Sequence, residues 1–166
     1  ENLAVSLTNE FPMHQFAWKV LGAVQKQTGR LTEALTSMLK SLQINSKDAE
    51  THNNVGVTLK ELGRLKEAVK SYKKALMIEP NYAEAYNNLG ATFHELGSFQ
   101  KAVESYAKAI KINFNYAAAY YNMGITLKSL DRFEESIASY TKAIEINPNF
   151  AEAYNNIGIA FKEQNL

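Results

Sequence analysis

Two stretches 68 residues apart, AEAYNNLGATF at 83 to 93 and AEAYNNIGIAF at 151 to 161, each set a pair of adjacent asparagines inside what otherwise reads as a helix. Asparagine trails alanine as a helix former by up to about 0.7 kcal/mol, because its short amide competes for nearby backbone groups. Its repetition therefore asks for a chemical reason. A primary amide carries two donors and two acceptor lone pairs, which match the N–H and C=O of an extended peptide backbone whatever its side chains. Asn54, Asn88, Asn122 and Asn156 recur at an interval of 34 residues. Asn53, Asn87 and Asn155 stand immediately before three of them, with Tyr121 in the remaining place.

Other chemistry is sparse. His14, His52 and His94 are isolated, without the HExxH or comparable spacing of a metal site. The serines lack a histidine and carboxylate in a triad context. With no cysteine there are no disulfides, thiolate metal sites or cysteine nucleophile. No catalytic residue, metal or cofactor is expected, and the chain is not read as an enzyme. Eighteen basic and 17 acidic residues leave a net charge of +1, so no global field favours nucleic acid or an anionic membrane. No apolar run approaches the roughly 20 residues needed to cross a bilayer, and no signal-peptide pattern precedes the first polar stretch. The reading is a cytoplasmic chain without nucleic-acid or membrane partners. Because it begins ENLAV and stops at KEQNL, it is expected to be a piece of a longer protein.

The elements that position the asparagines follow the same interval. Gly22, Gly56, Gly90, Gly124 and Gly158 are spaced by 34, and Gly29, Gly63 and Gly97 form a second series seven residues later, with Asp131 in its fourth place. Between these marks apolar residues recur at helical spacing, as in Tyr86, Leu89, Gly90 and Phe93, then Ala102, Tyr106 and Ala109. Each repeat is two helices joined by a short turn. IEPN at 78 to 81 and INPN at 146 to 149 put proline where the second helix ends. Ser46 and Phe114 replace it in the other two repeats, where softer stops are expected.

This pattern of an aromatic residue, Leu and Gly, then Ala, an aromatic residue, Ala and Pro at 34-residue spacing resembles the tetratricopeptide repeat. With the glycine as position 8, position 4 is Trp18, His52, Tyr86, Tyr120 and Tyr154, and position 7 is Leu21, Val55, Leu89, Met123 and Ile157. Position 20 is Ala34, Ala68, Ala102 and Ser136, and position 24 is Met38, Tyr72, Tyr106 and Tyr140. The resemblance covers essentially the whole chain. It implies an all-α, right-handed α-solenoid of stacked antiparallel helix pairs, about ten helices forming a single domain. Residues 1–14 would be the second helix of a preceding repeat, 15–48, 49–82, 83–116 and 117–150 four full repeats, and 151–166 the first helix of a fifth. The helices are expected at 1–10, 15–28, 31–44, 49–62, 65–78, 83–96, 99–112, 117–130, 133–146 and 151–164.

At about 100° per residue, positions 4, 7, 8 and 11 of each first helix share one side and positions 2, 6, 9 and 13 the other. The first set is core, with His52 a partly buried substitute for an aromatic residue. The resemblance makes the second set the inner wall of a superhelical groove, where stacking aligns equal positions into rows. Asn54, Asn88, Asn122 and Asn156 then form a rail for an extended peptide. That rail is similar to the asparagine ladder lining the tetratricopeptide superhelix of O-linked N-acetylglucosamine transferase. Asn53, Asn87 and Asn155, with Tyr121 interrupting, are expected at the groove edge. Position 12 supplies a basic row including Lys60 and Lys128, and position 2 an acidic one including Glu84. The alternative for the amides is bonding between adjacent helices, and for the charges solvated pairing on a helix surface.

A second family mode, the clamp for an acidic C-terminal peptide tail, fails residue by residue. Lys19 and Asn54 fit it, but Ala23, Glu84 and Asn88 do not. The expected partner is thus a protein or extended peptide segment held in the groove, with presentation of substrates to a domain elsewhere in the parent chain. The other reading is a structural spacer or self-assembling scaffold. In it the first and last helices, which lack their pair partners, stack copies weakly head to tail, with Leu3, Ala4 and Leu7 at one end and Ile157 and Phe161 at the other.

Overall fold

A computed structural model describes residues 2–164; Glu1, Asn165 and Leu166, the outermost residues of the expected first segment 1–14 and last segment 151–166, lie outside the described residues. Among the described residues there are ten α-helices. They fall into two compact units, Glu1–Pro80 and Asn81–Leu166. The first holds α1 (Asn2–Glu10), α2 (Gln15–Gln27), α3 (Leu31–Ile44), α4 (Ala49–Glu61) and α5 (Leu65–Ile78). The second holds α6 (Ala83–Glu95), α7 (Phe99–Ile112), α8 (Ala117–Lys128), α9 (Phe133–Ile146) and α10 (Ala151–Gln164). In the first unit α1 packs on α2, α2 on α3, α3 on α4 and α4 on α5; in the second each helix packs on the next in the same way. Within the second unit α8 also touches α6 and α10, so the first helices of successive repeats lie side by side.

The first helices α2, α4, α6 and α8 end one or two residues earlier than the periodicity predicts, because the turn begins before the glycine. In the first unit the N–H of Gly63 bonds to the carbonyl of Lys60 at 2.9 Å and that of Arg64 to Leu59 at 2.8 Å. This double closure needs a left-handed residue at the glycine. Gly29, Gly63 and Gly97 take φ of 77°, 72° and 68°, and Asp131 supplies the same conformation at φ 57°. The second helices all stop at the equivalent residue, Ile44, Ile78, Ile112 and Ile146. The stops without proline are therefore not displaced. There the Asn45 and Asn113 side chains each accept the N–H two residues on, at 3.1 Å, and turn the chain unaided.

Each repeat is locked by one close approach. A Cβ placed on Gly56, Gly90 or Gly124 would lie 2.6, 2.7 or 2.6 Å from the ring of Tyr72, Tyr106 or Tyr140, and one on Gly22 would lie 2.8 Å from Met38. Those four position-24 side chains are at most 2% exposed. Behind them Ala34, Ala68 and Ala102 are fully buried, and Ser136, in the same register, donates its hydroxyl to the Gly124 carbonyl at 2.8 Å. Position 24 also reaches into the next repeat. Thr58 Oγ1 lies 3.7 Å from the Met38 sulfur, and the Tyr106 phenol, its pKa raised by burial, bonds to Thr126. His52 is buried, with Nε2 3.0 Å from the Ser46 carbonyl, as a polar stand-in for the aromatic of its register. The other position-4 side chains are less covered than a core set requires. Trp18, Tyr86 and Tyr120 are half-buried, carrying Lys40 over Trp18 at 4.2 Å and Lys108 over Tyr86 at 5.5 Å, and Tyr154 is exposed.

Gly90→Leu is expected to force the Tyr106 ring out of its seat and lower stability by about 1–3 kcal/mol. Thermal and urea unfolding check this, and a wild-type melt would contradict the packing described.

Candidate functional site

In the second unit the first helices α6, α8 and α10 each carry one position-6 asparagine, Asn88, Asn122 and Asn156, and all three are half-exposed. Their neighbourhood is tied to the backbone. Thr92 and Thr126 donate to the carbonyls of Asn88 and Asn122 at 2.8 and 2.9 Å. The amides themselves are partly engaged between helices. Asn122 Nδ2 donates to Asn87 Oδ1 at 3.1 Å, and Asn156 Nδ2 donates to the Tyr121 hydroxyl at 3.1 Å. Each of these bonds joins position 6 of one repeat to position 5 of the repeat before it. A primary amide that spends one N–H this way keeps its carbonyl and a second N–H. For Asn122 and Asn156 those groups have no partner among the described residues.

Two of the position-5 residues, Asn53 and Asn87, do not stand open at an edge as the helical wheel suggests. Asn53 is fully buried and Asn87 is 9% exposed, because this side of the first helix turns into the contact with a neighbouring helix. Tyr121 is half-buried, its ring 4.6 Å from Phe150 and 5.8 Å from Tyr140 between centroids. Of the four, Asn155 is exposed.

The charged rows also resolve differently from separate bands. Lys26 pairs with Glu61 at 3.2 Å in the first unit, and Lys128 with Glu163 at 3.6 Å in the second. Position 12 of one repeat thus meets position 13 of the next, and Lys60 is likewise engaged. Partly exposed pairs of this kind contribute roughly 0–1 kcal/mol, so they set register more than stability. Where Ser129 replaces the glutamate, His94 turns instead to Thr126, Nδ1 to Oγ1 at 2.9 Å. Glu84 is exposed at the start of α6; with burial as the larger cause, its charge helps raise the Tyr116 pKa. Between the asparagines runs an apolar line of Ala91, Ile125 and Ile159, all at least partly open.

In the first unit the equivalent positions are Val20 and Asn54, both half-exposed. Lys19 is held by Asp48 at 3.1 Å and Glu50 at 2.6 Å, which takes it away from any peptide carboxylate. Asp48 also caps α4 by accepting from the Thr51 N–H at 3.0 Å and receives Gln15 at 2.7 Å. Burial works to raise its pKa, but the hydrogen bonds from Thr51 and Lys19 outweigh it and hold the carboxyl below its ordinary range.

The pairings missed by sequence reasoning had a signal. Asn87 and Asn122, Tyr121 and Asn156, Lys26 and Glu61, and Lys128 and Glu163 are all 35 residues apart, one more than the repeat. No group of three or more His, Asp and Glu among the described residues is placed to hold a metal, and none of their helices is long and apolar enough to cross a membrane.

A family model described as TPR repeat matches residues 58–97, 92–131 and 126–165. The chain belongs to the tetratricopeptide repeat family. Among solved structures, one of MamA protein is 30% identical over 92% of this chain and 83% of its own, with a TM-score of 0.84. A second MamA structure is 31% identical over 87% and 85%, with a TM-score of 0.82. YrrB, described as a TPR protein with an unusual peptide-binding site, is 21% identical over 97% and 84%, with a TM-score of 0.79, and shares the fold. No curated protein sequence matches the chain.

Proposed function

We propose that this tetratricopeptide repeat chain is a protein-interaction module whose second unit holds an extended peptide along α6, α8 and α10. One observation carries the reading: Asn122 and Asn156 each anchor one N–H between helices, while their carbonyl and second N–H have no partner among the described residues. Amides fixed at one end and open at the other are preorganised to bond a peptide's N–H and C=O groups, which lowers the ordering cost of binding. The adjoining line of Ala91, Ile125 and Ile159 admits a close backbone approach and alternate apolar side chains. Asn54 offers the same amide in the first unit. Lys60, Lys128, Asn53 and Asn87 support the wall rather than touch the ligand, while Glu84 and Asn155 border it. The reading assigns this segment no catalysis, and it is compatible with presentation of bound substrate to a domain elsewhere in a parent chain.

With Asn88→Ala and Asn122→Ala together, affinity for a peptide selected from a displayed random library is expected to fall by about 1–3 kcal/mol with the melting temperature nearly unchanged. Fluorescence anisotropy checks the first quantity and calorimetry the second. Undiminished binding would remove the rail.

A separate observation favours head-to-tail stacking as a second reading. A cavity of 480 Å³ in the first unit opens between α1 and α2, lined by Leu3, Leu7, Phe11, Phe16, Ala17 and Val20. Leu3, Phe11 and Phe16 are 74%, 50% and 63% exposed, though Ala4 is already buried. In the second unit nothing among the described residues comes within 4 Å of a Cβ placed on Gly158, and Tyr154 and Phe161 are exposed. In register, α1 is a second helix and α10 a first helix. Packing α10 of one copy on α1 of another would complete a repeat, a heterologous contact that need not close. Light scattering is expected to show mass rising with concentration, and Leu7→Glu with Phe161→Lys to abolish the rise. A concentration-independent monomer would end this reading.

A further inference from the structure

We infer that Tyr121 is a positioning residue for the peptide rail, its hydroxyl holding the Asn156 amide in the orientation that a bound backbone requires. The inference rests on the reading that the asparagine row binds extended peptide. The terminal torsion of an asparagine side chain is broad, so its rotamer alone does not decide which way the carbonyl and the NH₂ point. A partner must decide it. For Asn122 that partner is Asn87 Oδ1, buried in the adjoining helix. One repeat later position 5 is tyrosine, and its hydroxyl takes the same role, accepting from Asn156 Nδ2 at 3.1 Å.

The tyrosine is itself held. Its ring lies against Phe150 at 4.6 Å with planes 33° apart, and against Tyr140 at 5.8 Å with planes 50° apart. Tyr140 is fully buried and seated on Gly124, so the platform beneath Tyr121 belongs to the core of the repeat. The route is continuous: glycine seat, Tyr140 ring, Tyr121 ring, Tyr121 hydroxyl, Asn156 amide. What presents the rail amide at this step is an aromatic stack, whereas one repeat earlier a second amide does it. Tyr121→Phe therefore isolates the effect, since it removes one oxygen and leaves both ring contacts in place.

The probe is the strongest binder selected from a displayed random-peptide library on the unaltered chain, labelled for anisotropy. Asn156→Ala is expected to weaken it. Tyr121→Phe is expected to weaken it about three- to tenfold, the worth of one well-oriented hydrogen bond, with the melting temperature unchanged. The two changes together are expected to do no more than Asn156→Ala alone, because Tyr121 acts through that amide. In the peptide-free chain, the Asn156 side-chain amide protons are expected to exchange faster with solvent in Tyr121→Phe. Losses that add in the double variant, or a Tyr121→Phe chain that binds like the original while Asn156→Ala does not, would overturn the positioning role and leave the rail standing. Failure of the library to yield a binder, or an Asn156→Ala chain that binds normally, would overturn the rail itself and this inference with it.

Discussion

The seat that a glycine makes for a neighbouring ring is the contact on which the rest of the structure depends. At Gly56, Gly90 and Gly124 any side chain would enter the space of Tyr72, Tyr106 or Tyr140, and Gly22 does the same for Met38. Two helices brought this close bury an aromatic side chain completely, and an aromatic carries the largest apolar payload available to so thin a layer. The approach fixes the rotation of each first helix about its axis. Once that rotation is set, position 6 stands half-open, Asn53 and Asn87 at position 5 turn into a neighbouring helix, and positions 12 and 13 come within reach of their counterparts. The faces are thus consequences of the glycine.

The polar wall joins neighbouring helices. Bonds one residue longer than the repeat, Asn87 to Asn122, Tyr121 to Asn156 and Lys128 to Glu163, tie the first helices of the second unit to one another. A lysine or glutamate spent in such a pair has little left for a ligand, since it carries one kind of group only. An asparagine has both kinds, so it ties helices and still offers a carbonyl and an N–H. Elsewhere Arg64 and Arg132, each the residue before a second helix, pair with Glu67 and Glu135 three residues on.

Much of this was legible in the residues. The interval of 34 located every helix, because glycine and aromatic positions are set by packing within one repeat, and within one repeat sequence distance tracks spatial distance. The turn at Asp131 was legible for the same reason, standing where a left-handed residue had to be. Two things were not. The burial of Asn53 and Asn87 depends on how neighbouring repeats rotate against each other, which a helical wheel for one helix does not contain. The charge rows looked like separate bands for the same reason, since Lys26 and Glu61 lie on different helices and become partners only through an offset of one residue in the stacking. The stops at Ser46 and Phe114 read as soft when proline alone is the mark of a stop, whereas Asn45 and Asn113 turn the chain through their own side chains.

The central claim is that the half-open asparagine row, and not the buried row beside it, meets a partner. The most direct measurement is a titration of the chain, labelled with ¹⁵N on asparagine, with a library-selected unstructured peptide, following the side-chain amide signals by NMR. The account predicts that the signals of Asn88, Asn122 and Asn156 move together with one affinity while that of the buried Asn53 stays still. A peptide that binds while those three signals remain fixed would contradict it.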